Sequence, residues 1–343
     1  MINWHESYST VWRLTEVDLN TWADGETVAG VENAKLTRTA DGALLEAGSI
    51  EVTGRDFSPG YYRLSCTAIN NSGASERVDL CTMLFSGNEK KYDYGTALQS
   101  INGRSVLYPA SVKLLINGEY APANVDGARF VADMLGECLA CPIEVEASFT
   151  LNNNVVFEFG SSVLQAAWMV LDAGNCVIQI DGSGTVHIRN MPTLPVLELS
   201  AANARLIMNG VKGEYDIAEV PNQYVAVDEF STAIAVNENP DSPTSIPARG
   251  YVQMYLDDSP TPVDGETLER YALRRLEEES TVRDSRTYFR EYWPGVLPYD
   301  VVSGSLSSVG LTGNMRVITQ SLTCTGGILV NEKAAKEVML WQS

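Results

Sequence analysis

Cys138-Leu139-Ala140-Cys141 has the two-residue spacing of a zinc knuckle, and Cys176 with His187 would complete a Cys3His ligand set. The periodicity around these residues pulls them apart. Cys138 and Cys141 fall near the end of an amphipathic helical stretch, and Cys176 lies on the apolar side of a strand. His187 points to the polar side of the next strand, with Thr185 and Arg189. They read as buried thiols and a histidine on a polar face, so neither a metal nor a cofactor is expected. Nucleophilic catalysis has little to work with, because the only histidines are His5 and His187 and no Gly-x-Ser-x-Gly, His-Glu-x-x-His or strand-following Gly-x-Gly-x-x-Gly is present. Asp181-Gly182-Ser183-Gly184 is glycine-rich but joins two strands and leads into no helix, which makes it a turn rather than a phosphate cradle. Paired carboxylates for glycoside cleavage would come from Asp257-Asp258 or Glu277-Glu278-Glu279. Strand neighbours face opposite sides and the glutamates lie on an exposed helix, so solvation explains both. Tyr288-Phe289 and Tyr292-Trp293 offer a sugar-stacking platform, against which stands burial in a core or a subunit contact. No motif marks an enzyme.

The elements that would position these groups fall in the order β-rich, α/β, β-rich. In the first hundred residues, segments 12–17, 48–53, 62–68 and 77–85 alternate apolar and polar residues between Gly, Asn and Ser clusters, the mark of strands and turns. Asp41-Gly42 suits a hairpin turn, and Ser86-Gly87-Asn88 reads as a second loop. The period then becomes helical. Ala128, Val131, Leu135 and Leu139 predict a helix over residues 125–139 with Asn124 as N-cap, and Ser161-Ser162 starts another that carries Trp168 and stops at Gly174. A hairpin follows. For its apolar faces to coincide, Ile180 must oppose Val186 and Ile178 must oppose Ile188, around the odd loop Gly182-Ser183-Gly184. The last third returns to strands at 211–215, 222–228, 296–305 and 315–325, with a turn-rich loop at 237–243 and one helix over 266–279 that Asp264 would cap. Three domains result: a β-rich barrel or sandwich over 1–102, an α/β insert over 103–195 and a β-rich domain with one helix over 196–343.

The 343 residues carry 44 acidic against 24 basic side chains, a formal charge of −20. That balance opposes binding to nucleic acid by phosphate neutralisation and docking on anionic membrane. With 45% hydrophobic and 20% charged residues the chain folds rather than forming a disordered acidic tail. The best apolar run, residues 163–171, is about half the length of a spanning helix and contains Gln165. The first residues lack a basic and then apolar signal pattern, so no membrane anchor or cleaved leader is expected. Six scattered cysteines predict no obligatory disulfide.

The run Val156-Phe157-Glu158-Phe159-Gly160-Ser161-Ser162-Val163-Leu164-Gln165, the helix with Trp168, Ala173-Gly174-Asn175 and the hairpin turning at Asp181-Gly182 together resemble the middle of tailed-phage hub proteins. That family includes the late control protein D group and the hub region of type VI secretion spikes. Further matches are Glu219-Val220-Pro221-Asn222-Gln223-Tyr224-Val225-Ala226-Val227, Leu297-Pro298-Tyr299-Asp300-Val301-Val302 and Gly313-Asn314-Met315-Arg316-Val317. The segment from Thr10-Val11-Trp12-Arg13-Leu14 through Leu45 is similar to the opening of siphophage versions. The resemblance makes Gly160, Trp168, Asp181, Gly182, Asn222, Asp300 and Gly313 structural motif positions, with no catalytic, cofactor or metal residue among them. It implies two tube-like β-barrel domains flanking the α/β insert, and a homotrimeric ring that meets a sixfold tail tube. Its partners would be tail-tube and distal tail proteins and tip, fibre or spike proteins, in a virion assembled in the host cytoplasm. No needle, lysozyme, long fibre or inserted oligonucleotide-fold domain is expected, so the implied protein is a stripped hub. An acidic ring wall would let viral DNA pass without specific binding; the plainer reading of the charge is solubility. A carbohydrate-binding or adhesion module and an acidic glycoside hydrolase are the alternatives.

Overall fold

The computed structural model describes the chain except residues 1, 3, 5–6, 29–30, 41–45, 54–56, 94–95, 201–209, 229–230, 259, 261–265 and 341–343. It divides into two compact units, residues 1–211 with 287–334, and residues 212–286 with 335–343. The fold is mainly β with few helices.

In the first unit, strands from both ends of the sequence share one sheet. From Ile328–Met339 its order runs through Leu311–Cys324, Val31–Thr39, Glu46–Thr53, Thr96–Arg104, Ser75–Asp93, Tyr61–Asn70 and Tyr8–Val17 to Asp24–Val28. The two ends meet where Leu36 lies opposite Leu322 and Ala34 opposite Cys324, four buried side chains that fix the register. The expected loop at Ser86-Gly87-Asn88 is instead a bulge. Ser75–Asp93 runs straight through it, and the register against Thr96–Arg104 slips between Phe85, opposite Gly103, and Gly87, opposite Asn102. Small polar residues there accommodate an extra residue, with the Ser86 hydroxyl donating to the Asn102 carbonyl at 2.8 Å. The proposed Asp41-Gly42 turn lies outside the described residues.

The helical stretch and its hairpin share a core centred on Val131, Leu135, Leu164, Val170, Ile178 and Ile188, which Val17, Trp22 and Tyr61 join from the N-terminal segment. Helix Gly127–Gly136 is capped by Asp126, whose carboxylate accepts from the Ala128 and Arg129 amides. The predicted cap Asn124 stands further out at φ 63°. Helix Val163–Ala173 begins with a capping box, in which the Gln165 amide donates to the Ser162 hydroxyl at 3.2 Å and the Ser162 amide to the Gln165 side chain at 2.8 Å. The hairpin Cys176–Ile180 and Val186–Asn190 has the predicted register, Ile180 opposite Val186 and Ile178 opposite Ile188. Strand Ile143–Val145 adds alongside, parallel to Val186–Asn190.

Towards the C-terminus, Val301–Leu306 pairs with Leu311–Cys324 and, in parallel, with Pro195–Leu199. It starts later than predicted because residues 297–300 form a turn in which Tyr299 has φ 73°. Tyr288 and Tyr292 are 1% and 5% exposed, which removes the sugar-stacking platform. Tyr288 instead donates to Glu332, which also takes Arg290 at both carboxylate oxygens (3.0 and 2.6 Å) and Gln320 at 2.7 Å. Burial alone would raise the Glu332 pKa; the Arg290 charge and these donors outweigh it and hold it below the ordinary value of 4.5.

The second unit packs helix Leu268–Glu279 on a three-stranded sheet ordered Thr232–Val236, Gln223–Val227, Met254–Asp257. Thr267 caps the helix, accepting from the Arg270 amide; Asp264 lies outside the described residues. Among the described residues no helix is long and apolar enough to cross a membrane.

Arg290→Met leaves Glu332 buried without its counter-charge, and we expect a loss of about 3–5 kcal/mol in urea unfolding. Because the Glu332 pKa is depressed, its contribution is complete above 4.5 and is lost as pH falls through the lower folded value. Acid titration of the melting temperature should therefore be less steep in Glu332→Gln than in the natural chain.

Candidate functional site: the turn that seats the insert on the sheet

The turn 181–184 is built by its own sequence. Asp181 accepts from the Ser183 hydroxyl at 2.7 Å and the Thr185 amide at 3.0 Å, and Gly184 supplies φ 80° at the position where a three-residue hairpin loop needs it. The Asp181 amide donates to the Thr185 carbonyl, which closes the loop. What the turn does is set by what lies beneath it.

Arg63, 6% exposed in strand Tyr61–Asn70, spends its guanidinium on this turn. It donates to the Ser183 and Trp22 carbonyls (2.9 and 3.0 Å), the Asp24 carboxylate (2.8 Å) and the Thr82 hydroxyl (3.1 Å). Trp22 Nε1 adds a 2.9 Å bond to the Ser183 carbonyl, and the Thr82 hydroxyl donates to the Gly182 carbonyl at 3.1 Å. At Gly182 a Cβ would overlap the Asp79 carbonyl, so only glycine lets the two backbones approach. Residues 61–66 of the strand are consequently buried on both faces, where alternation predicts one wet face.

Another hairpin side chain is held from the turn 297–300. Gln179, 3% exposed, donates to the Pro298 carbonyl (2.6 Å) and to Asp300 (3.0 Å), whose second oxygen accepts from the Leu297 amide at 2.8 Å. Burial raises the Asp300 pKa above its ordinary 3.8 despite those two donors. Trp168 stacks obliquely on Tyr299 with ring centres 6.0 Å apart. Trp168, Gln179, Asp181 and Pro298 line one cavity of about 90 Å³ with Arg38 and Cys81.

Of the seven motif positions, Trp168, Asp181, Gly182 and Asp300 are thus gathered at one joint. Gly160 sits before helix Val163–Ala173 at φ 83°, with its amide on the Leu115 carbonyl, and Gly313 faces Gly304 in the C-terminal strands. Asn222 belongs to the second unit, where its fully buried amide bonds the Tyr251 carbonyl (3.0 Å) and the Gln253 amide (2.8 Å). Sequence reasoning missed Arg63, Trp22 and Thr82. The signal was a lone arginine inside the otherwise unbroken run Tyr61-Tyr62-Arg63-Leu64, where a buried strand needs a partner for it.

No thiol joins His187. Cys138 Sγ turns back to the Leu135 carbonyl at 3.3 Å and Cys176 Sγ to Gly174 at 3.3 Å, while His187 lies among Glu144, Glu146 and Asp181. All six cysteines are free, and burial pushes the Cys66, Cys141 and Cys324 thiols up to about 12. In the second unit Asp257 is not simply solvated as expected: it accepts from the Tyr224 and Tyr271 hydroxyls at 2.8 and 2.7 Å. Glu278 and Glu279 pair with Arg274 and Arg275 along their helix.

Gly182→Ala must push the turn off Asp79, whereas Gly313→Ala meets open space and carries only the strain of φ 77°. We expect Gly313→Ala to cost about 1–2 kcal/mol and Gly182→Ala distinctly more, read as the difference between their melting temperatures.

No family model and no curated protein sequence matches the chain. Solved structures do. The 43 kDa tail protein of prophage MuSo2 from Shewanella oneidensis is 14% identical, with a TM-score of 0.65 over 98% of this chain and 100% of that one. The tail protein from Neisseria meningitidis MC58 is 12% identical, with a TM-score of 0.67 over 96% and 97%. A Francisella PdpA-VgrG complex aligns at 7% identity and a TM-score of 0.56, over 96% of this chain and 58% of that chain. The chain has the fold of these phage tail proteins, a fold shared by the aligned part of the PdpA-VgrG complex.

Proposed function

We propose that this chain is the hub of a phage tail tip or baseplate, a structural protein that works through interfaces and a channel rather than through bond chemistry. The observation that carries the reading is the near end-to-end match with two phage tail proteins, 98% of this chain on 100% of one and 96% on 97% of the other. A match of that extent leaves little of the chain for a separate catalytic or adhesive module. The β-rich ends act as two tube-like barrel domains and residues 103–195 as the insert between them. Three copies form a ring in which each subunit supplies two similar units, so that a threefold hub meets a sixfold tube.

The charge of −20 acquires a role in this arrangement. Acidic side chains on the inner wall repel phosphate over about 8–10 Å at physiological salt, so DNA passes without adhering. The joint at Arg63 and Gly182 supports the same reading, because an insert locked to the sheet presents its outer surface to neighbours as one piece with the sheet. The carbohydrate-binding alternative loses its platform through the burial of Tyr288 and Tyr292.

Native mass spectrometry of the purified chain, alone and with a neighbouring protein of the tail, tests the assembly. We expect a species of three times the 37.4 kDa chain mass. A monomer in both samples contradicts the ring.

A further inference from the structure

His187 is bracketed. Strand Ile143–Val145 runs parallel to Val186–Asn190 with Glu144 opposite His187, and Glu146, two residues on, returns to the same face. The imidazole Nδ1 lies 2.9 Å from Glu146 Oε1 and 3.4 Å from Glu144 Oε2. Its Nε2 lies 3.3 Å from Asp181 Oδ2, and Asp181 is itself held in the turn by Ser183 and Thr185. The ring is largely covered, its side chain 13% exposed, while the two glutamates open to solvent at 63% and 45%.

In the tautomer with the proton on Nε2, given to Asp181, Nδ1 offers a lone pair on the side where a carboxylate oxygen of each glutamate lies. Three such atoms repel unless a positive centre sits among them, either a proton on Nδ1 hydrogen-bonded to Glu146 or a bound cation. Arg189, 2.7 Å from Glu146 Oε1, neutralises one edge only. A metal ion with bonds of about 2.0–2.1 Å requires its ligand atoms about 2.9–3.4 Å apart, between octahedral and tetrahedral edges. Both histidine–glutamate separations fall on that range, and the three ligand atoms lie within 4.8 Å of one another. The carboxylate behind the other ring nitrogen is the arrangement that fixes the tautomer and aim of a metal-bound histidine.

We propose that His187 Nδ1, Glu144 and Glu146 form a binding site for a divalent first-row transition metal ion, with water completing the coordination. One imidazole with two carboxylates suits Zn²⁺ or Mn²⁺ rather than a soft thiolate-seeking ion. The ion ties the short edge strand Ile143–Val145, which the sheet holds from one side only, to the hairpin whose turn is seated on Arg63. It thereby fastens the outer edge of the insert. The site is independent of how many copies assemble.

The probe is Zn²⁺, titrated calorimetrically into the full chain after chelator treatment. One equivalent should bind saturably and raise the melting temperature. Glu144→Gln, at an exposed side chain that leaves the fold intact, should weaken binding at least about tenfold, and His187→Ala should abolish it. Cys138→Ser should leave it unchanged. Absence of saturable binding, which would mean that a proton alone fills the gap, overturns the proposal. So does binding that survives both His187→Ala and Glu144→Gln or that disappears with Cys138→Ser.

Discussion

A guanidinium taken out of water must find acceptors for its donors, and in this chain two arginines meet that demand by drawing distant segments together. Arg290, 1% exposed, lies on the carboxylate of Glu332, which is fully buried and further satisfied by Tyr288 and Gln320. Arg63 lies on carbonyls contributed by Trp22 and Ser183 and on Asp24. Neither cluster can be relaxed piecemeal, because removal of one member strands the rest in a medium where an unpaired charge costs several kcal/mol. Hydrophobic contact says only that the insert and the sheet should touch; the Arg63 cluster says which turn touches which strand, and Gly182 sets how closely.

Local rules made the insert readable. The hairpin register followed from placing Cys176, Ile178 and Ile180 on one face with Val186 and Ile188, and Ser161-Ser162 marked a helix start. Caps shifted by two or three residues, from Asn124 to Asp126 and from Asp264 to Thr267, because several side chains near a helix start can accept and the backbone decides among them. Long-range pairing was not legible. Nothing in residues 31–39 announces that they will lie against residues 311–324, since a strand pattern specifies a face and not a partner. The same holds for the joint: Asp181, Gly182, Asp300 and Trp168 stood out in the sequence, but their common purpose depends on Arg63 and Gln179, more than a hundred residues apart.

His187 shows the same difference between type and placement. Its residue type pointed to metal chemistry and its strand face correctly separated it from Cys176. The companions it has, Glu144 and Glu146, come from a three-residue edge strand too short for any periodicity to declare. Acidity is therefore not uniform in meaning here. Some carboxylates are structural acceptors, as at Asp24, Asp181 and Glu332, and the remainder form the surface excess that the hub reading assigns to a channel wall.

We propose that this chain forms the ring through which DNA leaves a phage tail. A cryo-electron microscopic reconstruction of the assembled tail tip at side-chain resolution tests it most directly. The account predicts three copies around the tail axis below the tube, with acidic side chains lining the lumen. Copies placed peripherally on fibres, or a ring whose lumen is neutral or basic with the acids outside, would contradict it.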